Sequence, residues 1–321
     1  MFKIGNVKLK NRLILAPMAG VNCTAFRVLC KEYGAGLVCT QMFHCNSIPV
    51  LYDSDKKKFE KLIGVCEDER PVSIQLVGSD PDLIKESTLI LNKYADIIDL
   101  NLGCPDKDIL ANKSGAFFSK HPEQISKVVG PIIENSKKPV TAKIRVGWNA
   151  DKITAFEQCK ILEELGVDAV AVHGRTVKQG YSGQADWGII KEIKSKFNFK
   201  VIGSGDIFKP GDGKAKLEKS KVDFLMIGRG ALGNPFIFDR LNYLLENGKN
   251  KQDPSISDQK KAFLRFSELY KSNKEQFKIS EFRQHAMWFT KGIRSAKKLR
   301  NEIMNIEDFN KIVDAVGKGF K

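Results

Sequence analysis

Apolar residues in this chain come in short β-branched and aliphatic runs that alternate with longer stretches of helical period, and the alternation repeats eight times. The runs are Arg12 to Ala16, Gly36 to Met42, Pro71 to Val77, Ile97 to Asn101, Val140 to Arg145, Ala169 to His173, Lys200 to Gly203 and Phe224 to Gly228. Each has the length and composition of a buried strand. Between them, Asp80 to Tyr94, Pro122 to Ser136, Asp151 to Leu165 and Trp187 to Lys196 carry apolar residues at helical spacing. Such alternation implies parallel strands joined by right-handed crossovers. Eight repeats with no ninth predict closure into a (β/α)8 TIM barrel rather than an open doubly wound sheet. Near Leu241 the pattern changes. Asn247 to Pro254 is a polar linker, and from Ser257 onward only helical periodicity remains. The expectation is an α/β barrel at 1–241 followed by a small all-α helical bundle at 242–321.

Composition narrows the function. At 321 residues and 42% hydrophobic content the chain can bury one large core and still support a small second unit. No apolar run reaches the roughly eighteen residues of a membrane span, and Met1 to Asn6 lacks the pattern of a signal peptide, so a soluble cytoplasmic protein is expected. The seven cysteines include no C-x-x-C pair, which points to neither a disulfide framework nor a metal site. Most read as small apolar fillers. The net charge of +15 is compatible with a polyanionic partner. Residues 242–321 hold 17 Lys and Arg against 10 Asp and Glu. Within Lys278 to Arg300, the cations Lys278, Arg283, Lys291, Arg294, Lys297, Lys298 and Arg300 face the single acid Glu281. Interleaved with His285, Trp288 and Phe289, they suit a structured RNA whose backbone and exposed bases must both be touched. An equal alternative is a solvated lysine-rich helix with Trp288 in the core.

Catalytic groups of a TIM barrel sit just beyond the carboxyl ends of its strands. Cys104, in Asp99-Leu100-Asn101-Leu102-Gly103-Cys104-Pro105, falls there and is the leading candidate for a reacting residue. The same rim collects Pro17 and Met18, Gln75, Asn101, Lys143 with Arg145, His173 with Arg175, Gly205 with Asp206, and Gly228 with Arg229. Two glycine-bearing loops, Gly203-Ser204-Gly205-Asp206 and Gly228-Arg229-Gly230, follow the last two runs, where backbone N–H groups commonly bind phosphate. Each alone would read as a tight turn; two together point to a phosphorylated cofactor or substrate. Lys143 and His173 could offer charge or hydrogen bonds to an electron-rich ring, although His173 also reads as a core histidine. Gln75 either fixes a ring edge or is a satisfied buried amide.

Five strings, Ala16-Pro17-Met18-Ala19-Gly20, Asn101-Leu102-Gly103-Cys104-Pro105, Lys143-Ile144-Arg145-Val146-Gly147-Trp148, Val172-His173-Gly174-Arg175-Thr176 with Tyr181-Ser182-Gly183, and Ile227-Gly228-Arg229-Gly230 with Asn234-Pro235, together resemble the tRNA-dihydrouridine synthases, most strongly the bacterial B-type branch. The resemblance spans roughly residues 4 to 300. The chain departs from the family where Asn22-Cys23 precedes Phe26-Arg27, at Ser204 and at Asp108. The resemblance implies an FMN-dependent reductase that saturates the C5–C6 bond of a uridine in tRNA, with NADPH or NADH as reductant. By it, FMN is held by Pro17, Met18, Ala19, Gln75, Lys143 and His173, and its phosphate by Ser204, Gly205, Asp206, Gly228 and Arg229. Cys104 corresponds to the family's general acid. An ordinary thiol, with a pKa of about 8.5, is mostly protonated near neutrality and can donate. Asn101 is expected at the uracil edge, with Lys107, Arg145 and Arg175 at the ring or phosphates. The flipped base would be presented by the helical unit through Arg283, Lys291, Arg294, Lys297, Lys298 and Arg300. No stable protein partner is expected. Two other readings compete: a flavin barrel acting on a free pyrimidine, similar to the dihydroorotate dehydrogenases, and a non-catalytic RNA chaperone. A ribosomal RNA target also stays open.

Overall fold

The computed structural model describes residues 1–272 and 278–320. In it the eight runs form eight strands: β1 Leu13–Leu15, β2 Leu37–His44, β3 Val72–Val77, β4 Ile97–Leu102, β5 Val140–Arg145, β6 Ala169–His173, β7 Lys200–Ser204 and β8 Phe224–Ile227. Each pairs in parallel with the next, and β8 pairs back onto β1 to close the barrel. β3, β6 and β8 are buried at every residue. Strands of a parallel barrel are covered on both faces, so near-continuous apolar runs rather than alternating ones fit them.

Inside the barrel, Ile14, Ala16, Leu37, Cys39, Ile97, Ala169, Ala171, Ile202, Phe224 and Met226 pack as a core of their own. The antiparallel hairpin Phe2–Ile4 and Val7–Leu9 adds Ile4 and Leu9 to it. A Cβ on Gly5, at the hairpin turn, would lie 2.7 Å from Pro139 and from Asp168, just ahead of β5 and β6. The amino end of the barrel is therefore plugged, and the polar strand-end residues lie at the opposite mouth.

The helical stretches form the outer ring. Pro81–Leu91 is capped by Asp80, whose carboxylate accepts from the N–H groups of Asp82 and Leu83. Trp187–Lys196 matches its expectation and is capped by Asp186 in the same way. The stretch from Pro122 divides into a 3-10 turn, Pro122–Gln124, and helix Ile125–Asn135. The helix expected from Asp151 begins only at Ala155, because Lys152–Ile153 pairs antiparallel with Gly147–Asn149. A Cβ on Gly147 would stand 2.2 Å from the Lys152 carbonyl oxygen, so that close approach requires glycine. Two helices, Ser47–Ser54 and Lys56–Ile63, lie between β2 and β3 without having been read from the sequence.

The last barrel helix, Phe236–Asn247, runs across position 241 and ends at Gly248 in a left-handed conformation. After the polar stretch come Ile256–Ser272, Ile279–Phe289, Ala296–Met304 and Phe309–Gly319. Their Phe263, Phe266, Phe282 and Phe289 join one apolar cluster with Phe26 and Leu29 of the barrel helix Thr24–Glu32. At the edge of this contact Arg265 pairs with Glu32 at 2.6 Å. His285 and Phe289 are buried there, whereas Trp288, the residue expected in the core on the alternative reading, is half-buried. No described helix is long and apolar enough to cross a membrane.

Candidate active site

The open mouth of the barrel holds a cleft with about 530 Å³ of open space, lined by Pro17, Met18, Lys143, His173, Ser204, Gly205, Asp206, Gly228 and Arg229. These come from the ends of β1, β5, β6, β7 and β8, as the strand periodicity requires. Tyr181, Phe208 and Met226 line it too. Sequence reasoning gave these three no role, although Tyr181 stands in a quoted string, in an otherwise small and polar loop.

The cleft is electropositive. Among the described residues, no carboxylate lies within ion-pair distance of Lys143. Burial, and then the nearby Arg145 guanidinium, lower its ammonium from 10.5 to about 8. His173 is buried, and that burial together with the cations Lys143, Arg145, Arg175 and Arg229 holds its pKa far below the ordinary range. It is neutral at pH 7 and offers a donor and an acceptor rather than a charge.

The two glycine loops are shaped by close contacts. Gly205 has φ +129°, and a Cβ there would meet Ala185 at 2.5 Å; a Cβ on Gly230 would sit 2.0 Å from the Ile207 carbonyl oxygen. Trp187 Nε1 donates to the Gly205 carbonyl at 3.1 Å. Among the described residues, the backbone N–H groups of Gly205, Asp206 and Gly228 meet no protein acceptor, and Arg229 stands beside them over the Tyr181 ring at 4.5 Å. This donor set fits a phosphate. The Asp206 carboxylate is committed elsewhere: it accepts from the Ala185 N–H at 2.7 Å and pairs with Arg175 at 2.8 Å and Arg229 at 3.5 Å. Those partners outweigh its burial and keep its pKa low. Its contribution at an anion would come from the main chain.

Cys104 lies on the same rim, just past β4, on the strand next to Lys143. Asn101 is the register partner of Lys143, and its Oδ1 accepts from the N–H groups of Gly103 at 3.0 Å and Cys104 at 2.8 Å. That turn fixes the thiol, and burial raises its pKa, so the sulfur is protonated at neutral pH. Asn101 Nδ2 donates to Gln75 Oε1 at 2.9 Å, and Gln75 Nε2 donates to the buried Asp99 at 2.6 Å. Thr141 donates to the other Asp99 oxygen at 2.6 Å. Gln75 and Asn101 thus form a chain beneath the rim, and the satisfied-amide reading fits Gln75.

Several expected contacts are turned inward. Arg145 is 3% exposed and donates to the carbonyls of Gly103, Thr176 and Gly180. Arg175, 2% exposed, donates to the Ser182 and Gly183 carbonyls besides pairing with Asp206. Both arginines brace rim loops. Ala19 is exposed in the turn after β1 and does not line the cleft; Lys107 is exposed at the start of helix Lys107–Ala111. In the C-terminal helices Lys291, Arg294, Lys297 and Lys298 are exposed. Arg283 instead donates to the Ile306 carbonyl, and Arg300 to Thr290 Oγ1 at 2.8 Å.

The dihydrouridine synthase family model matches residues 14–318. The tRNA-dihydrouridine synthase B of Vibrio cholerae serotype O1 is 35% identical over 317 residues, covering 98% of this chain and 97% of that one. The corresponding protein of Vibrio vulnificus is 36% identical over 308 residues, covering 95% and 94%. A probable tRNA-dihydrouridine synthase of Rickettsia conorii is 34% identical over 310 residues, covering 96% and 93%. Among solved structures, a variant of NCR from Zymomonas mobilis shares the fold with a TM-score of 0.56 at 15% identity, covering 80% of this chain and 93% of that one. The 6-hydroxypseudooxynicotine amine oxidase of Pseudomonas geniculata shares it with a TM-score of 0.59 at 14% identity, covering 81% and 51%.

Proposed function

This chain belongs to the dihydrouridine synthase family, and from that membership we propose that it reduces the C5–C6 bond of a uridine in tRNA, using FMN with NADPH, or NADH, as reductant. One observation carries the reading. A protonated thiol, a buried ammonium that makes no ion pair among the described residues and two glycine loops with unspent N–H donors share a single barrel mouth. Pro17, Met18, Lys143 and His173 would hold the flavin, and the N–H groups of Gly205, Asp206 and Gly228, with Ser204 and Arg229, its phosphate. Ala19 and Gln75 would act from the edge of that site.

FMN, when bound and reduced, supplies the hydride that adds to uracil C6. The enolate that results needs a proton at C5, and Cys104 donates it, its thiol kept protonated by burial. Lys143 places positive charge beside a developing ring anion. Asn101 fixes Cys104 through the Gly103 and Cys104 N–H groups, while Arg145 and Arg175 hold the surrounding loops. Lys107 and the exposed cations of the helical region would meet RNA phosphates, dividing the chain into a catalytic barrel and a tRNA-binding helical unit, acting in the cytoplasm.

The test is Cys104→Ala. The variant should bind FMN and oxidise NADPH like the wild type, yet form dihydrouridine in tRNA at least about 100-fold more slowly, the usual worth of a general acid. Equal dihydrouridine formation by both proteins removes Cys104 from the mechanism.

A further inference from the structure

Helix Ile279–Phe289 touches the turn after β1 and the segment that follows the loop after β8. On one side His285, fully buried, places Nε2 2.9 Å from the Val21 carbonyl oxygen. A carbonyl only accepts, so Nε2 carries the proton and Nδ1 is a bare acceptor, which has no partner among the described residues. Phe26, Phe266 and Trp288 enclose the ring at centroid distances of 5.1, 4.7 and 4.8 Å and hold it in one orientation.

Val21 belongs to the turn that carries Met18. The Met18 carbonyl accepts from the N–H groups of Val21 and Asn22, each at 3.2 Å. Asn22 Nδ2 in turn ties Ala16 and Cys39 through their carbonyls, each at 2.7 Å. The Asn22 carbonyl accepts from Arg27 at 2.6 Å, and Arg27 pairs with the buried Glu69. Val21 is thus tied by its N–H to Met18, which lines the cleft. On the other side, a Cβ on Gly233 would lie 2.3 Å from the Trp288 carbonyl oxygen. The carboxyl end of the same helix therefore abuts the segment that follows Gly228-Arg229-Gly230.

We propose that His285 is a positioning residue: through its hydrogen bond to the Val21 carbonyl, helix Ile279–Phe289 sets the Met18 turn and couples the helical region to retention of the cofactor. The proposal rests on the reading of the cleft as an FMN site. Coupling is reciprocal, so RNA that stiffens this helix raises FMN affinity by the same factor that FMN raises RNA affinity.

Two substitutions separate position from packing. His285→Phe keeps the ring contacts and removes the donor; the Val21 carbonyl still accepts from the Cys23 N–H at 2.8 Å, so no buried oxygen is orphaned. His285→Gln returns an amide N–H near the place of Nε2. Titration of the flavin-free full-length chain with FMN, followed by flavin fluorescence, should show binding about tenfold weaker for His285→Phe and within about threefold of wild type for His285→Gln, as one lost hydrogen bond implies. The two flavin-free variants should melt within about 2 °C of each other. A Phe variant that holds FMN as tightly as wild type overturns the proposal. Should His285→Phe not fold, hydrogen exchange on the wild-type chain decides: FMN should protect residues 17–23 and 279–289 together, and protection confined to 17–23 overturns the coupling. A wild-type chain that takes up no FMN fails the functional reading itself, and the proposal with it.

Discussion

Lys143 shows how a single side chain can cost stability for the sake of a site. Its ammonium is desolvated, repelled by Arg145 and lacks an ion pair among the described residues, which lowers its pKa from 10.5 to about 8. Below pH 8 the folded and unfolded chains both carry the proton, and the full penalty applies. Between pH 8 and 10.5 the unfolded chain binds more protons, so stability rises with pH; above 10.5 both are neutral and the penalty is gone. Lys143→Met should therefore stabilise the flavin-free protein by about 1–3 kcal/mol at pH 7, an advantage that shrinks toward zero by pH 10.5. Denaturant unfolding at pH 7 and pH 10 checks it; an equal gain at both would mean that Met simply packs better. The sequence placed this lysine on the rim because a strand's end is legible from its apolar run. It did not show that Asn101, Arg145 and Arg175, each within two residues of the end of its strand, spend their donors on protein carbonyls and amides. Bond partners distant along the chain leave no local signature.

The glycine loops carry the next scale of argument, since their shape is set by contact between elements. Gly230 packs its Cα against the Ile207 carbonyl, so the loop after β8 rests directly on the backbone of the loop after β7. Gly230→Ala forces a backbone shift that no side-chain rotation can relieve. It should destabilise the flavin-free protein by about 1–3 kcal/mol and weaken binding of the proposed FMN, because the N–H donors of both loops would no longer converge. Thermal unfolding with and without FMN measures both effects; an Ala variant with wild-type stability and affinity would show that the loops move independently. All eight strands were readable, since β-branched runs buried on both faces have few other uses. The hairpin of Gly147–Asn149 with Lys152–Ile153 was not, because five residues around a turn carry too little apolar pattern to outweigh the helical period that begins at Ala155. Helices Ser47–Ser54 and Lys56–Ile63 were missed because Pro49 and the run Lys56-Lys57-Lys58 mask a short apolar face that rests on Ile48, Phe59 and Ile63.

Across the whole molecule, charge and core compete for the same helices. The segment Lys278 to Arg300 read as a basic face interleaved with aromatics, but the fold sorts it: His285 and Phe289 go to the core, Arg283 and Arg300 bond within the bundle, and Lys291, Arg294, Lys297 and Lys298 remain on the surface. Only exposed cations can exchange counterions for phosphates, so the two groups should separate by experiment. Replacing Lys291, Arg294 and Lys298 together by Ala should weaken tRNA binding and reduce the magnitude of the slope of log K against log salt by about 2, as loss of three phosphate contacts implies, with little change in melting temperature. Arg283→Ala should do the reverse. It releases the Ile306 carbonyl and loosens the corner between Ala296–Met304 and Phe309–Gly319, lowering stability by about 1–2 kcal/mol while leaving the salt slope unchanged. An unchanged slope in the triple variant would return these three cations to plain solvated surface, and the RNA path would then have to run over the barrel's own lysines instead.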